Sequence, residues 1–163
     1  MSLQFRTIAL ARDSDICVLF RRDSYTCSFG DGRKLDQQSY LDWLAIRIGE
    51  FPIGFVHVWR DSEIIGQREL RPHGYINLFY LIPAVRGSGL ADSLHDYALS
   101  VFAGLGLQKL QLSVSPSNAR AIAFYLKHGW RDLGPRPGHD DVRLMELTFT
   151  AKADSRPGGL ADS

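Results

Sequence analysis

Two cysteines, two methionines and five histidines in 163 residues leave little material for a metal centre or a disulfide scaffold. Cys17 and Cys27 lie apart in sequence, with no Cys-x-x-Cys and no histidine cluster beside them. They read as buried thiols of a reducing compartment, and neither a disulfide nor a metal site is expected. No apolar run reaches membrane length, and no basic segment followed by an apolar stretch opens the chain. A cytoplasmic protein with no membrane partner is therefore expected. Neither charge sign dominates: 19 Lys and Arg stand against 18 Asp and Glu, a net charge of +1. That balance does not ask for nucleic acid or an anionic surface. Long-period repeats, low-complexity segments and a linker that would split the chain are all missing. One short repeat is present, Gly89–Ser93 recurring as Gly159–Ser163, and it has no evident physical reason.

What is there suits one folded domain over residues 1–150, with a polar, glycine-rich tail over 151–163. The stretch that organises the chain is Tyr75–Leu99. Residues 75–82 are aromatic and β-branched enough for a largely buried strand, and Pro83 should end it because it cannot donate to a ladder. Arg86-Gly87-Ser88-Gly89-Leu90-Ala91 follows. A helix then runs to Leu105, with Leu90, Leu94, Tyr97 and Val101 on one face and Ala91, Ala98 and Phe102 beside it. A strand, a turn of small residues and a helix start leave backbone N–H groups free at the turn, a natural anion site. Glycine at 87 and 89 lets a phosphate approach that backbone. The dinucleotide fingerprint is excluded by the missing third glycine and trailing acidic residue. A P-loop is excluded because no Gly-Lys-Ser/Thr is present.

Elsewhere the pattern predicts a strand over Leu3–Leu10, then a helix capped by Asp13 or Ser14 and ill-defined beyond Arg22. Residues 24–29 carry β-formers and read as extended. Asp36 reads as the N-cap of a second helix ending at Gly49. Ile53–Arg60 and Glu63–Leu70 form a hairpin across Asp61-Ser62. Lys109–Val114 alternates as a strand, and Pro116-Ser117 opens a helix that Gly129 closes, with Ser117 its expected cap. Trp130–Leu133 is a short strand, Gly134–Asp141 a loop and Val142–Phe149 the last strand. The order of elements implies an α/β (α+β) domain with a mixed sheet.

Arg-x-x-Gly-x-Ala, written here as Arg86, Gly89 and Ala91, resembles the acyl-CoA-binding motif of the Gcn5-related N-acetyltransferase (GNAT) family. The segment Asn118-x-x-Ala121-x-x-Phe124-Tyr125-x-x-x-Gly129-Trp130 is similar to the second signature of that family. The two stand in the right order, separated by one helix and one strand. The resemblance covers residues 53–149 well and the first 52 residues in their strand–helix–helix order. It implies a GNAT-like domain with a mixed, mostly antiparallel sheet of six to seven strands, splayed at its centre and flanked by about four helices. It also implies an N-acetyltransferase that moves an acetyl group from acetyl-CoA, as co-substrate and without a metal, directly to a primary amine. The acceptor would be a small molecule or a peptide. Open sheet edges also allow a homodimer.

Carried over residue by residue, the resemblance places the cofactor against Tyr80, Leu81, Arg86, Gly87, Ser88, Gly89, Leu90, Ala91, Asn118 and Tyr125. Acyl transfer develops an oxyanion, which needs aimed donors, and strand amides near Tyr80 and Leu81 would supply them. Tyr125 matches the residue that protonates the leaving thiolate in many members. Asn118 could equally be a helix cap, and Tyr125 a core residue. The general base stays open. Family members often carry a Glu where this chain has Asn77, and an amide cannot take a proton. Glu69 and His57 are the candidates, directly or through water, while His139, Asp140 and Asp141 could shape the acceptor pocket. Three rivals remain: another acyl donor or an oxygen acceptor, a catalytically inactive CoA-binding sensor or assembly module, and a nucleotide-phosphate binder unrelated to CoA.

Overall fold

The structure, a computed structural model, describes residues 3–29 and 35–149. Seven strands form one sheet in the order β1-β2-β3-β4-β5-β7-β6. The strands are β1 (Leu3–Thr7), β2 (Phe55–Arg60), β3 (Glu63–Arg71), β4 (Tyr75–Leu81), β5 (Lys109–Val114), β6 (Arg131–Arg136) and β7 (His139–Thr148). The helices are α1 (Leu10–Phe29), α2 (Gln37–Glu50), α3 (Leu90–Gly104) and α4 (Ala119–Lys127). Every neighbouring pair is antiparallel except β4 and β5, which are parallel. The expected mixed, mostly antiparallel sheet with four helices is the one observed.

Each face of the sheet has its own core. Beneath α1 and α2, Phe55 packs with Cys17, Val18, Tyr40 and Leu44. On the other face Leu70, Ile76 and Leu112 pack with Ala98 and Phe102 of α3, Tyr125 of α4 and Trp130. Full burial of a side chain such as Leu44 or Phe102 contributes about 1.5–3 kcal/mol.

Two irregularities in β4 position the site. β4 pairs with β5 only at Tyr75↔Gln111 and Ile76↔Leu112, so the strands part beyond Ile76. On its other side the register passes from Glu69↔Leu78 to Leu70↔Ile76, which leaves Asn77 without an opposite residue. Such a bulge re-aims side chains and bends the strand. The carbonyls of this stretch find donors in arginines. Arg21 Nη1 donates to Asn77 O (3.4 Å), Arg68 Nη1 to Leu78 O (3.3 Å) and Arg86 Nε to Leu81 O (2.8 Å).

Several sequence-based expectations are corrected. Residues 24–29 are not extended: α1 runs unbroken through them apart from a kink at Asp13 (φ −116°, ψ 21°). Tertiary anchoring overrides β-propensity there, because Asp23 accepts from the Tyr80 hydroxyl at 2.6 Å and pairs with Arg86 at 2.8 Å. β1 stops at Thr7, α1 starts at Leu10, and Pro52–Gly54 is a 3₁₀ turn rather than the start of β2. Asp36 does cap α2, accepting from Ser39 N at 3.0 Å, but α2 continues one residue past Gly49. The cap of α4 is Asn118, not Ser117. Gly134–Asp141 is not a loop but the tip of the β6–β7 hairpin, turning at Pro137–Gly138, with Gly138 at φ +79°. Pro135 is tolerated because β6 is the sheet edge and its register shifts on both sides of that proline. Cys17 is buried as expected, whereas Cys27 is exposed. The tail over 151–163 and its repeated pentapeptide lie outside the described residues.

Candidate active site

The parting of β4 from β5 opens a cleft of about 380 Å³ on the α3/α4 side. Its walls include Phe79–Leu81 of β4, Arg86, Gly87 and Ala91 of the turn, and Asn118, Arg120 and Tyr125. Gly87 (φ +77°) and Gly89 (φ +90°) hold left-handed conformations that L side chains resist. A Cβ on Gly87 would come within 3.0 Å of Arg120 Nη2, while one on Gly89 would meet nothing within 4 Å. The turn therefore delivers the first amides of α3 to the cleft mouth with a cation, Arg120, beside them. Ser88 turns inward, its hydroxyl donating to Val85 O. Arg86 lines the cleft, but its guanidinium is held by Asp23, by Leu81 O and, at 3.4 Å, by Cys27 Sγ. Asn118 lines the cleft and spends its side-chain oxygen on Ala121 N (3.2 Å), so it caps α4.

Tyr125 is 6% exposed and lies edge-on to Phe79 and Trp130, with centroids 6.1 and 5.5 Å away. Burial pushes its phenol up to about 12, against the opposing pull of the Arg68 charge. Arg68 is wholly buried, stacked on Phe79 at 4.3 Å, and its Nε and Nη2 have no hydrogen-bond partner among the described residues. Desolvation brings its guanidinium down to about 10, which still leaves it charged at neutral pH.

On the opposite face a buried polar chain leads away from β4. Glu69, wholly buried, accepts from Asn77 Nδ2 (2.7 Å), Tyr40 Oη (2.5 Å) and Gln67 Nε2 (2.9 Å). Gln67 Oε1 in turn lies 2.8 Å from His57 Nε2, and Cys17 Sγ is 3.6 Å from the same nitrogen. Burial holds His57 below its ordinary value, so the ring is neutral at pH 7. Asn77 and Tyr40 line a second cleft, of about 420 Å³, between α1, α2 and the sheet. His57 does not line that cleft; it connects to it through Gln67, whose Nε2 donates both to Glu69 and, at 3.0 Å, to the Tyr40 hydroxyl. The bulge makes this arrangement: it turns Asn77 to the same face as Glu69, whereas Phe79 looks into the first cleft.

The site is thus a strand pair opened in mid-sheet, with a left-handed glycine turn at its mouth, a phenol in one wall and a carboxylate behind the other. The model of the acetyltransferase (GNAT) family matches residues 13–130. This chain belongs to the GNAT family. Structures with the same fold include a PaiA N-acetyltransferase of Thermoplasma acidophilum in complex with coenzyme A, with a TM-score of 0.70 and 17% identity over 91% of this chain and 100% of that one. YncA, described as a putative acetyltransferase, from Salmonella typhimurium with acetyl-CoA matches at 0.68 and 15% identity, over 98% and 100% of the two chains. A spermidine N-acetyltransferase of Vibrio cholerae, in complex with CoA and spermine, matches at 0.67 and 18%, over 90% and 95%.

Within this GNAT chain the structure gathers the sequence-derived site residues into two groups. Tyr80, Leu81, Arg86, Gly87, Ala91, Asn118 and Tyr125 surround the first cleft, with Ser88, Gly89 and Leu90 in the adjoining turn. Glu69, Asn77 and His57 lie along the polar chain of the other face. His139, Asp140 and Asp141 are exposed strand residues at the β6–β7 tip. Sequence reasoning missed Tyr40 and Arg120. Tyr40 was readable only as part of the apolar face of α2, yet a buried tyrosine hydroxyl requires a partner, and that was the available signal. Arg120 carried no signal, since only the packing of α4 sets it beside Gly87. Among the described residues no group of three or more metal-binding side chains exists, and no helix is long and apolar enough to cross a membrane.

Proposed function

We propose that this chain is an N-acetyltransferase that moves an acetyl group from acetyl-CoA directly to a primary amine. The observation that carries the reading is the parted β4–β5 edge: it joins the glycine turn and Tyr125 on one face to Asn77 and the Glu69 carboxylate on the other. Acetyl-CoA would supply a thioester-activated acetyl group, and CoA would leave as the thiolate, which takes its proton from water. The amides of residues 87–91 and the Arg120 guanidinium would hold its pyrophosphate. The β4 edge between Phe79 and Leu81, free of a β5 partner, would hydrogen-bond the extended arm and the developing oxyanion.

In the transfer, the amine nitrogen bonds to the acetyl carbon, the carbon–sulfur bond breaks, and the amine gives up a proton. Tyr40 lines the acceptor cleft and donates to Glu69, so its hydroxyl can take that proton while passing its own to the carboxylate. His57 is one residue further back and holds the network in register through Gln67. With a thiol near 8.5 and the phenol at about 12, full proton transfer from Tyr125 to the thiolate is uphill. Tyr125 therefore acts by hydrogen-bonding the sulfur as charge develops on it. The inactive CoA-binding reading drew on the amide at Asn77, but a carboxylate stands one hydrogen bond behind that amide. Two free thiols support a reducing, cytoplasmic setting.

Thermal-shift titration with acetyl-CoA, CoA and ADP tests the cofactor site. A ligand at a hundred times its Kd adds about 2.7 kcal/mol of stability. Acetyl-CoA should stabilise the wild type more than ADP does. Gly89→Glu has room for its Cβ but strains the backbone at φ +90°, so it should fold with about 1–2 kcal/mol less stability, and it should lose the shift because it sets a carboxylate at the anion site. A folded wild type that ignores CoA at millimolar concentration refutes the reading. Release of free thiol on adding amines then tests the transfer itself.

A further inference from the structure

The second cleft has a charge that the proposed reaction does not require. An amine acceptor with several positive charges would call for carboxylates in the wall. Here the wall carries two arginines instead, Arg21 and Arg71. Its one acidic lining residue, Asp36, caps α2 through Ser39 N. The carboxylate just behind the wall, Glu69, already accepts three hydrogen bonds. Neither arginine has a carboxylate oxygen within 4.0 Å among the described residues, although, against the effect of burial, the Glu69 charge behind the wall acts on Arg21 and helps keep it protonated. Arg21 donates to Asn77 O, hydrogen-bonds Tyr25 and lies over that ring at 4.9 Å. Arg71 lies over Trp43 at 5.7 Å, and its Nε is buried without a hydrogen-bond partner among the described residues. Leaving such a donor unpaired costs free energy that an anionic ligand would recover. A third arginine, Arg136, flanks the pair: Arg71 is opposite Tyr75 in the ladder, and Arg136 Nη1 donates to the Tyr75 hydroxyl at 3.0 Å.

Resting on the acyl-transfer reading, we propose that the acceptor is a small primary amine that also bears an anionic group, a carboxylate or a phosphate. Arg71 and Arg21 grip that group against the Trp43 side of the cleft, and the amine end lies toward Asn77 and Tyr40. Guanidinium groups suit this role because their forked donors match both anions. The aromatic rings under them hold the forks in place. The same charges disfavour a polycation, so the cleft selects against polyamines by repulsion as well as for amino acids or phosphoamines by attraction.

Matched pairs that differ only in the anion make the test: L-phenylalanine with phenethylamine, L-tyrosine with tyramine, and O-phosphoethanolamine with ethanolamine. Binding is measured on the protein saturated with CoA, which cannot react, by the tryptophan fluorescence to which Trp43 in the cleft wall contributes. At least one anionic member should bind ten-fold or more tightly than its partner, and which pair responds tells carboxylate from phosphate. Arg71→Gln should bring that ratio close to one while leaving the acetyl-CoA thermal shift unchanged, and Arg21→Gln serves if the first variant does not fold. The proposal is overturned if the members of every pair bind alike, if the uncharged partners or spermidine bind more tightly, or if nothing in the panel binds at millimolar concentration. It is overturned equally if the ratio survives both substitutions. Substituting acetyl-CoA for CoA separates the two readings. Anion-dependent binding with no acetylation leaves the anion site standing and removes the acyl-transfer reading. Acetylation without anion preference does the reverse.

Discussion

Replacing Tyr125 by Phe separates chemistry from packing at the centre of this site. The ring keeps its contacts with Phe79, Phe124 and Trp130. What is lost is a hydroxyl that, among the described residues, interacts with the Arg68 charge alone and has no hydrogen-bond partner. Removing a hydroxyl without a partner at the cleft wall strands no other group, so stability should change by less than about 1 kcal/mol at neutral pH. Loss of a hydrogen bond to the leaving sulfur should lower kcat by roughly 10²-fold, with KM for acetyl-CoA nearly unchanged. The folded phenol at about 12 also makes an alkaline prediction. Its value is raised above the unfolded one near 10, so the stabilising contribution is complete below pH 10 and is lost as pH rises toward 12. Two pKa units correspond to about 3 kcal/mol, and the variant should not show that share of the alkaline loss. The checks are thiol release at saturating acetyl-CoA and amine, and denaturant unfolding between pH 7 and 11.5. Turnover within three-fold of wild type would refute the role of Tyr125 at the sulfur. A loss of stability of several kcal/mol at neutral pH would show that its hydroxyl has a partner.

Other substitutions probe the remaining parts. Glu69→Gln keeps the shape and can keep an oxygen toward Tyr40 and Gln67 if the Asn77 amide turns over; it should cost about 1–3 kcal/mol of stability and lower kcat/KM by roughly 10²–10⁴-fold. Stopped thiol-release assays on the folded variant measure this, and near-normal turnover would exclude Glu69 as the proton acceptor. His95, on the buried face of α3, accepts from Trp130 Nε1 at 3.0 Å, and burial aided by the charges of His128 and Arg68 lowers it to about 4. A depressed histidine stabilises the fold above its unfolded value near 6.5, and that stability drains as pH falls toward 4, by about 3 kcal/mol in all. Thermal unfolding of His95→Gln between pH 7 and 4 should show a flatter profile than wild type, and parallel profiles would contradict the assignment.

The local chemistry of the chain determined much of this protein. Period-two alternation over 109–114, the proline after the organising strand, the glycine turn at 87–89 and the cap at Asp36 are short-range signals. Each is expressed by neighbours within a few residues, and each has its element in the structure. The two motifs lie within single strand–turn–helix units and pointed to the GNAT family for the same reason.

Contacts between distant segments decided the rest. Residues 24–29 favour β structure locally, yet Tyr80 and Arg86, more than fifty residues later, hold the helix there through Asp23. Pro135 and Gly134 announce a loop, and only the edge position of β6 lets them remain in a strand. The bulge at Asn77 depends on β3 pairing in two registers at once, and it decides which face that amide presents. The bonds that tie Tyr40 and Asn77 to Glu69 join three elements across the sheet. No periodicity encodes such a meeting, because it exists only once the sheet has set its twist, its register and the gap between β4 and β5.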